Sequence, residues 1–383
     1  MELFKASRQW AERPADERFW NVRDLHEVVT GYRKQARTKV LPYAMLEASV
    51  SGDEVLLHNK QSDNFARMTH WAFGQFCARA KSPASYLREL PAKLAADCLN
   101  HGLSLRADAE EAKLMFHLNG DTIARSITSD IYDRIWNADV TPYLVSLLDR
   151  GWITPPARPA VKDSRTRPAT AEDVLAYGNA GHPSLSVQLG DLIAPAGVYA
   201  SDHDMFVFMI NPSRTIADGS DGGLSRGFFL WNSEVGSASW GMSKFYFRHV
   251  CGNHIVWDAS GVETIRIRHV GRASARFGAE IMAYVTQLDD ASASDDEARI
   301  VGAQRLMLGK TKDEVLSKIF GMRILSKSAA TDAYDGAVAD VDGSPNTAWG
   351  YAQALTRYSQ RNPYADERTA LDRAASKVLA LAA

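Results

Sequence analysis

The sequence predicts an α+β fold: a central, largely antiparallel sheet with flanking helices and a helical C-terminal region. Three observations carry that expectation. Lys113 to Leu118 and Thr122 to Ile127 flank Asn119-Gly120-Asp121, and the Asn-Gly pair is a strong short-range hairpin signal. From Met205 to Val270, short runs rich in β-branched and aromatic residues alternate with Gly-rich turns, the pattern of successive strands. Beyond Arg272 the spacing changes to that of alanine-rich helices. With 383 residues, 45% of them hydrophobic and 23% charged, the chain can bury a large core in two closely packed subdomains.

In chain order, Phe19, Val22, Leu25, Val28 and Tyr32 recur at three or four residues, so Ala15 to Tyr32 reads as an amphipathic helix. The basic run Arg33, Lys34, Arg37 and Lys39 follows its exposed end. Such a run either complements the helix dipole in solvent or contacts phosphate. Glu54 to His58 is a strand, and Asn64 to Ala80 is expected as a helix carrying Phe65, Met68, Ala72 and Phe76 inward. Ser82-Pro83 starts another helix, and a further one runs from Ala92 to Asn100 and closes at Gly102. After the hairpin, Ile131, Ile135, Val140, Tyr143, Leu144 and Leu147 keep helical spacing up to Gly151.

Thr154 to Pro168, with Arg158, Lys162, Arg165 and Arg167, reads as an exposed linker or loop that divides the chain. Strands follow at Met205 to Ile210, Phe228 to Trp231, Ser239 to Val250 and Thr264 to Val270, with a turn at Gly219 to Gly223. Helices cover Arg272 to Leu288 and Asp295 to Leu308, and Thr311 with Glu314 forms a capping box for the next. Asp332 to Pro345 is a turn-rich loop, and two last helices span Thr347 to Gln360 and Ala365 to Ala380. The expected division is an α+β subdomain over 1–153, the linker over 154–168, a strand-rich subdomain over 169–271 and a helical region over 272–383.

Lys+Arg 44 against Asp+Glu 46 gives a formal charge of -2, so contact with nucleic acid requires a local basic patch rather than the field of the whole surface. Cys77, Cys98 and Cys251 are an odd, scattered set, which suits a reducing compartment. The first residues, with Glu2, Lys5, Arg8, Glu12 and Arg13, lack the apolar core of a signal peptide, and no later apolar run reaches membrane-spanning length. A cytoplasmic protein with no membrane attachment is expected.

The stretch Ser239 to Cys251 has two faces of opposite character under period-two alternation. Phe245 and Phe247 share one and read as core; Lys244, Tyr246 and Arg248 share the other. Ile265 and Ile267 alternate in the same way with Arg266 and Arg268. Antiparallel pairing of the two strands would present Lys244, Tyr246, Arg248, Arg266 and Arg268 together, with Arg272 just beyond. Cations hold phosphates and an aromatic stacks a base, the composition of a single-strand-binding platform. The alternative is an ordinary solvated sheet face.

His249, Cys251, His254 and His269 cluster nearby, but their spacing is unlike that of a zinc site, and they read as core and polar residues. A second group is made of carboxylates: Asp202, His203 and Asp204 before a strand, Asp218 and Asp221 in a Gly-rich loop, and Glu234 after Trp231-Asn232-Ser233. Strand-end carboxylates can hold Mg²⁺ and support phosphodiester hydrolysis, although Asp and Gly are also what turns are made of. Walker A, Gly-x-Ser-x-Gly and His-Glu-x2-His motifs are absent, which lowers the expectation of an enzyme.

The segment Arg226-Gly-Phe-Phe-Leu-Trp-Asn-Ser-Glu-Val-Gly236, followed by Phe247-Arg-His-Val-Cys-Gly-Asn-His254 and Arg268-His-Val-Gly271, resembles a family of phage and plasmid proteins. That family is labelled domain of unknown function 932, formerly 945. Ala124 to Tyr132, Asn346-Thr-Ala-Trp-Gly-Tyr351 and Thr356-Arg-Tyr358 look similar to it as well. The resemblance implies a role in handling the DNA of mobile elements and supplies no catalytic residues. The leading expectation is a DNA-binding accessory protein without a cofactor, of the single-strand binding or annealing kind and acting as a homo-oligomer. One alternative is a Mg²⁺-dependent nuclease built on Asp202, Asp204 and Glu234; another is an inhibitory or assembly protein that binds a protein partner.

Overall fold

The computed structural model describes residues 15–105, 110–119, 121–154, 165–177, 186–195, 197–220, 222–248, 253–255, 264–360, 371 and 374–382. The α+β architecture is present, as two six-stranded sheets of mostly antiparallel strands and a helical C-terminal region.

Helix α1 (Val22–Gln35) begins later than its apolar spacing implies, because the Asn21 side chain accepts the backbone N–H groups of Arg23 and Asp24. Phe19 reaches the core from outside the helix. The first sheet contains β1 (Ala36–Pro42), β2 (Leu46–Ser51), β3 (Glu54–Asn59), β4 (Asn64–Met68), β5 (Glu111–Asn119) and β6 (Asp121–Ser129), in the order β1-β5-β6-β4-β3-β2. The β5–β6 hairpin forms where the Asn-Gly signal places it, with Asn119 opposite Asp121. Met115 faces Ser126 whereas Phe116 faces Ala124, so Arg125 is an extra residue on β6, a β-bulge.

Helices α2 (His70–Arg79), α3 (Ala84–Leu87) and α4 (Ala92–Ser104) follow β4 in the chain and help to bury Leu57, Ala66, Leu114 and Ile127 of the sheet. The helix expected over Asn64 to Ala80 is in fact a strand followed by a helix. Asn64 pairs with Asn59, and the Thr69 hydroxyl accepts the Ala72 N–H, which starts the helix at His70. Phe65 has the right spacing for the helix face but stacks on His58, with ring centroids 4.3 Å apart. Gly102 does not end α4: a Cβ there would lie 2.3 Å from the Ala80 carbonyl oxygen, so this glycine lets the helix close on Ala80. On the other side of α4, Asn100 donates from Nδ2 to the Ala48 carbonyl at 2.8 Å and accepts the Ala48 N–H at 2.7 Å. Helical structure after the hairpin starts only at α5 (Asn137–Leu148), six residues beyond Ile131.

Of the basic residues expected on the Thr154 to Pro168 segment, Arg158 and Lys162 lie outside the described residues. Arg165 donates to the Arg18 carbonyl. Arg167 pairs with Asp173 at 2.6 Å and covers the Trp20 ring at 4.0 Å. These two cations are tied to the fold rather than free. Strands β7 (Arg167–Pro168) and β8 (Leu192–Ile193) pair on either side of α6 (Ala171–Tyr177).

The second sheet has β9 (Val198–Ala200), β10 (Met205–Ile216), β11 (Leu224–Asn232), β12 (Trp240–Arg248), β13 (Asn253–Ile255) and β14 (Ile265–Ile267). Its order is β13-β12-β11-β10-β9, and β14 also pairs with β12. Every residue of β11 is buried, because both faces of the sheet are covered. Against one face, Leu25 of α1, Leu144 of α5 and Ile281 of α7 (Ala273–Asp290) pack with Phe228, Leu230, Trp240 and Met242. Farther along that face, Leu224 and Tyr246 meet α8 (Ala293–Arg305), α9 (Lys312–Gly321), α10 (Lys327–Asp335) and α12 (Ala348–Gln360) through Ile300, Val315, Ala330 and Tyr351. The opposite face is aromatic: Tyr199, Phe206, Phe208, Phe229, Trp231 and Phe245.

Ser292, Thr311 and Ser326 cap α8, α9 and α10 through their side chains. The expected box at Thr311 is half formed, since the Glu314 carboxylate accepts from Lys310 N at 2.7 Å rather than from Thr311. Asp332 to Pro345 is less loop-like than expected: it holds the end of α10 and the short α11 (Ala339–Asp342), where buried Asp342 receives Arg357. Of the expected last helix, 374–379 are helical and 361–370 lie outside the described residues. None of the described helices is long and apolar enough to cross a membrane.

Two glycines set how closely β11 and β12 approach across the aromatic face. Trp231 lies opposite Gly241 and Gly227 opposite Phe245, so each ring folds over the glycine of the neighbouring strand. A Cβ on Gly241 would stand 2.3 Å from Trp231. Gly241→Ala is therefore expected to destabilise the protein by about 1–3 kcal/mol, the usual range for overpacking. A urea titration should show a lower midpoint with an unchanged slope.

Candidate functional site

The strand face predicted to hold a single strand is buried. Lys244 and Tyr246 do share the face opposite Phe245, but α7, α8 and α12 cover it, leaving them 5% and 3% exposed. Both point at Asp296 of α8. Lys244 Nζ lies 3.4 Å from its carboxylate and the Tyr246 hydroxyl donates to it, while Arg226 of β11 approaches at 2.7 Å from the neighbouring strand. Arg226 also donates to the carbonyls of Leu288, Ala291 and Ser292, closing the C-terminal end of α7. Burial disfavours the ionised Asp296 carboxyl, but Lys244, Tyr246 and Arg226 outweigh it and hold its pKa below the usual value. Burial lowers the pKa of Lys244, with Asp296 opposing, and raises that of the Tyr246 phenol.

The other expected members of the platform separate. Strands β12 and β14 pair antiparallel, but Arg266 faces Gly241, not the Lys244–Arg248 end. That register puts Arg266 on the aromatic face, its guanidinium 6.0 Å from the Trp231 ring centroid. The Arg248 and Phe247 side chains, and residues 249–252 with His249 and Cys251, lie outside what is described. His269 is buried against Tyr132, at 5.0 Å between ring centroids, and burial brings its pKa down to about 4.

What remains at the surface is a set of arginines and lysines at element ends. Arg266, Arg268 and Arg272 are exposed on β14 and on the turn into α7. Arg33 and Lys34, in the last turn of α1, and Arg37 and Lys39, on edge strand β1, are exposed as well. None of these seven forms an ion pair among the described residues. Tyr32 beside them is 43% exposed, and Arg33 covers the Trp136 ring at 4.0 Å. Contacts among Trp136, Arg134, Tyr132 and His269 connect the two basic segments.

The carboxylates of the hydrolytic alternative are each engaged elsewhere. Asp204 is buried and accepts the Ser201 hydroxyl at 2.7 Å; Asp202 accepts from His203 Nδ1 at 2.7 Å. That contact with His203, together with the nearby Arg125, lowers the pKa of Asp202. Glu234 faces Arg125 at 3.4 Å and accepts the N–H of Asn137, the first residue of α5, at 2.8 Å. Among the described residues no group of three His, Cys, Asp or Glu side chains is placed to hold a metal ion. Asp221 lies outside the described residues.

Sequence reading missed the two arginines beside Glu234. Arg125 and Arg134 are each 6% exposed, at the seam between the two sheets. Arg125 Nη2 donates to the Asp202 carbonyl at 2.6 Å and Arg134 Nη2 donates to Ser126 Oγ at 3.2 Å. Burial pushes the Arg134 guanidinium down to about 10. A signal was there: Arg125 is the one charged residue inside the strand-forming run Thr122 to Ile127.

The model of the family described as Domain of unknown function (DUF932) matches residues 187–380. The chain belongs to the DUF932 family. In this DUF932 chain the match takes in the second sheet and the C-terminal helices that pack on it, including Arg226, Lys244, Tyr246 and Asp296, but not α1 and α5. The first sheet, with the family-like stretch Ala124 to Tyr132, falls outside it. Comparisons with curated proteins and with solved structures gave no match.

Removing the Asp296 carboxylate leaves two buried cations without a counter-charge. Asp296→Ala is expected to destabilise the DUF932 chain by about 3–5 kcal/mol, as measured by urea unfolding. Because the folded-state pKa is depressed, the stabilisation is complete above the unfolded-state value. It disappears as pH falls through the folded-state value, so stability should drop with acidification below the ordinary Asp range in the wild type and more weakly in Asp296→Asn.

Proposed function

We propose that this protein is a nucleic-acid-binding accessory protein of a mobile genetic element such as a phage or plasmid, with single-stranded DNA as the preferred ligand. The observation that carries the reading is the presence of seven exposed cations in two short segments, Arg33 to Lys39 and Arg266 to Arg272, none ion-paired among the described residues. On a chain of formal charge -2 these segments supply the local patch that phosphate binding needs. The exposed Tyr32 ring stands beside the first segment, where a base can stack. Arg266, Arg268 and Arg272 stay in the proposed interface; Lys244 and Tyr246 leave it and become structural. Cys77 and Cys98 are unbridged, in keeping with a reducing, cytoplasmic setting, and no cofactor enters the reading. Homo-oligomerisation along a strand belongs to the same proposal.

The test is fluorescence anisotropy of a labelled single-stranded oligonucleotide at two salt concentrations, with Mg²⁺ present or absent and oligonucleotide length checked. The wild type should bind at low salt and weaken steeply as salt rises. Arg266→Glu, Arg268→Glu and Arg272→Glu combined should lower affinity at least tenfold and reduce the salt slope by about 2, the effect of losing three single-strand phosphate contacts. Binding that ignores salt, or that the triple substitution leaves intact, would remove the assignment. Shortening of the oligonucleotide only with Mg²⁺ would favour the nuclease in its place.

A further inference from the structure

Arg134 has no carboxylate within ion-pair distance among the described residues, Glu234 acting on it from farther off. It is nine-tenths buried, it makes no ion pair among the described residues, and its Nε and Nη1 have no hydrogen-bond partner. Arg125, one residue from the Ser126 hydroxyl that Arg134 holds, also leaves its Nε unpartnered. Its bulged position brings Arg125 and Ser126 toward the same side of the strand. Glu234 is the one carboxylate that either guanidinium meets within ion-pair distance among the described residues, and it is already divided between Arg125 and the start of α5. The rings of Tyr132 and Trp136, each 5.3 Å from the Arg134 guanidinium, offset part of the charge but accept no N–H in the guanidinium plane. A buried cation left in that state is destabilising unless an anion meets it.

From this we infer that the seam between the two sheets binds a phosphate-type oxyanion between Arg125 and Arg134. Three unpartnered guanidinium nitrogens on two side chains, carrying four N–H bonds, match the several oxygens of a phosphate better than the coplanar pair of a carboxylate. Trp136 is half-buried and carries exposed Arg33 on its ring at 4.0 Å, which gives the anion a positively charged approach from the surface. The phosphate can be free or can be the terminal group of a nucleotide. The inference rests on Arg134; it shares Arg33 with the proposed interface but does not depend on Arg266, Arg268 or Arg272.

Thermal unfolding of the full chain tests it, comparing inorganic phosphate, adenosine monophosphate and acetate with sodium chloride at matched ionic strength. Phosphate at 20 mM should raise the midpoint of the wild type by roughly 3 °C or more, beyond the effect of acetate or chloride. A matching rise with the nucleotide identifies a phosphate-ended ligand, and a rise with phosphate alone identifies the free anion. The rise should vanish in Arg134→Met and persist in the combined Arg266, Arg268 and Arg272 variant, which separates this site from the nucleic-acid surface. If Arg134→Met does not fold, a phosphate-dependent change in tryptophan fluorescence that is lost in Trp136→Phe reports the same site. No rise in the wild type, or an equal rise in Arg134→Met, overturns the inference.

Discussion

Asp296 holds the C-terminal helices on the second sheet, and the rest of that half of the molecule follows from it. One carboxylate on α8 receives Arg226 from β11 and Lys244 and Tyr246 from β12, so two strands and a helix are joined at one buried charge. Through Arg226 the same point reaches the last carbonyls of α7. A buried ion pair of this kind contributes more to choosing one arrangement than to net stability, because desolvation opposes most of its Coulomb energy. Here the arrangement chosen is the docking of α8, which lets the sheet be covered on both faces although its strands carry Arg and Lys. The residues matched by the DUF932 family contain this whole network.

Local signals in the sequence were reliable where a single interaction decides the outcome. The Asn119-Gly120 turn, the caps at Thr311 and the helical spacing of α7 and α12 each depend on groups a few residues apart, and each is where the residues place it. Period-two alternation on β12 separated Phe245 from Lys244 and Tyr246 correctly. It could not say what covers either face, since Asp296 is some fifty residues away, and so a buried cation was read as a solvated one. The register of β14 depends on Trp240 meeting Ile267, a contact with no local signature. The false helix over Asn64 to Ala80 arose because Phe65 and Met68 continue the spacing of a helix that the Thr69 hydroxyl starts after them.

The arginines of this chain divide by what surrounds them, which composition alone does not reveal. Arg165, Arg167 and Arg226 are bound into the fold through carbonyls, carboxylates and rings. Arg33, Arg37, Arg266, Arg268 and Arg272 face solvent at element ends. Arg125 and Arg134 form a third class, buried and only partly satisfied. A near-neutral protein can therefore hold a basic surface and an internal positive site at once, with acidic residues balancing both from elsewhere.

Asn100 has a consequence that reaches beyond the folded monomer. Strand β2 ends the first sheet, and an end strand offers its main chain to any extended segment that meets it. By accepting the Ala48 N–H and donating to the Ala48 carbonyl, the Asn100 amide imitates one residue of a neighbouring strand and occupies that site. At the other end β1 carries Arg37 and Lys39, whose charges would repel a second copy of the same strand. The sheet is thus guarded by a helix side chain at one residue of one rim and by charge at the other, and a strand pairing across Ala48 would first have to displace Asn100 of α4.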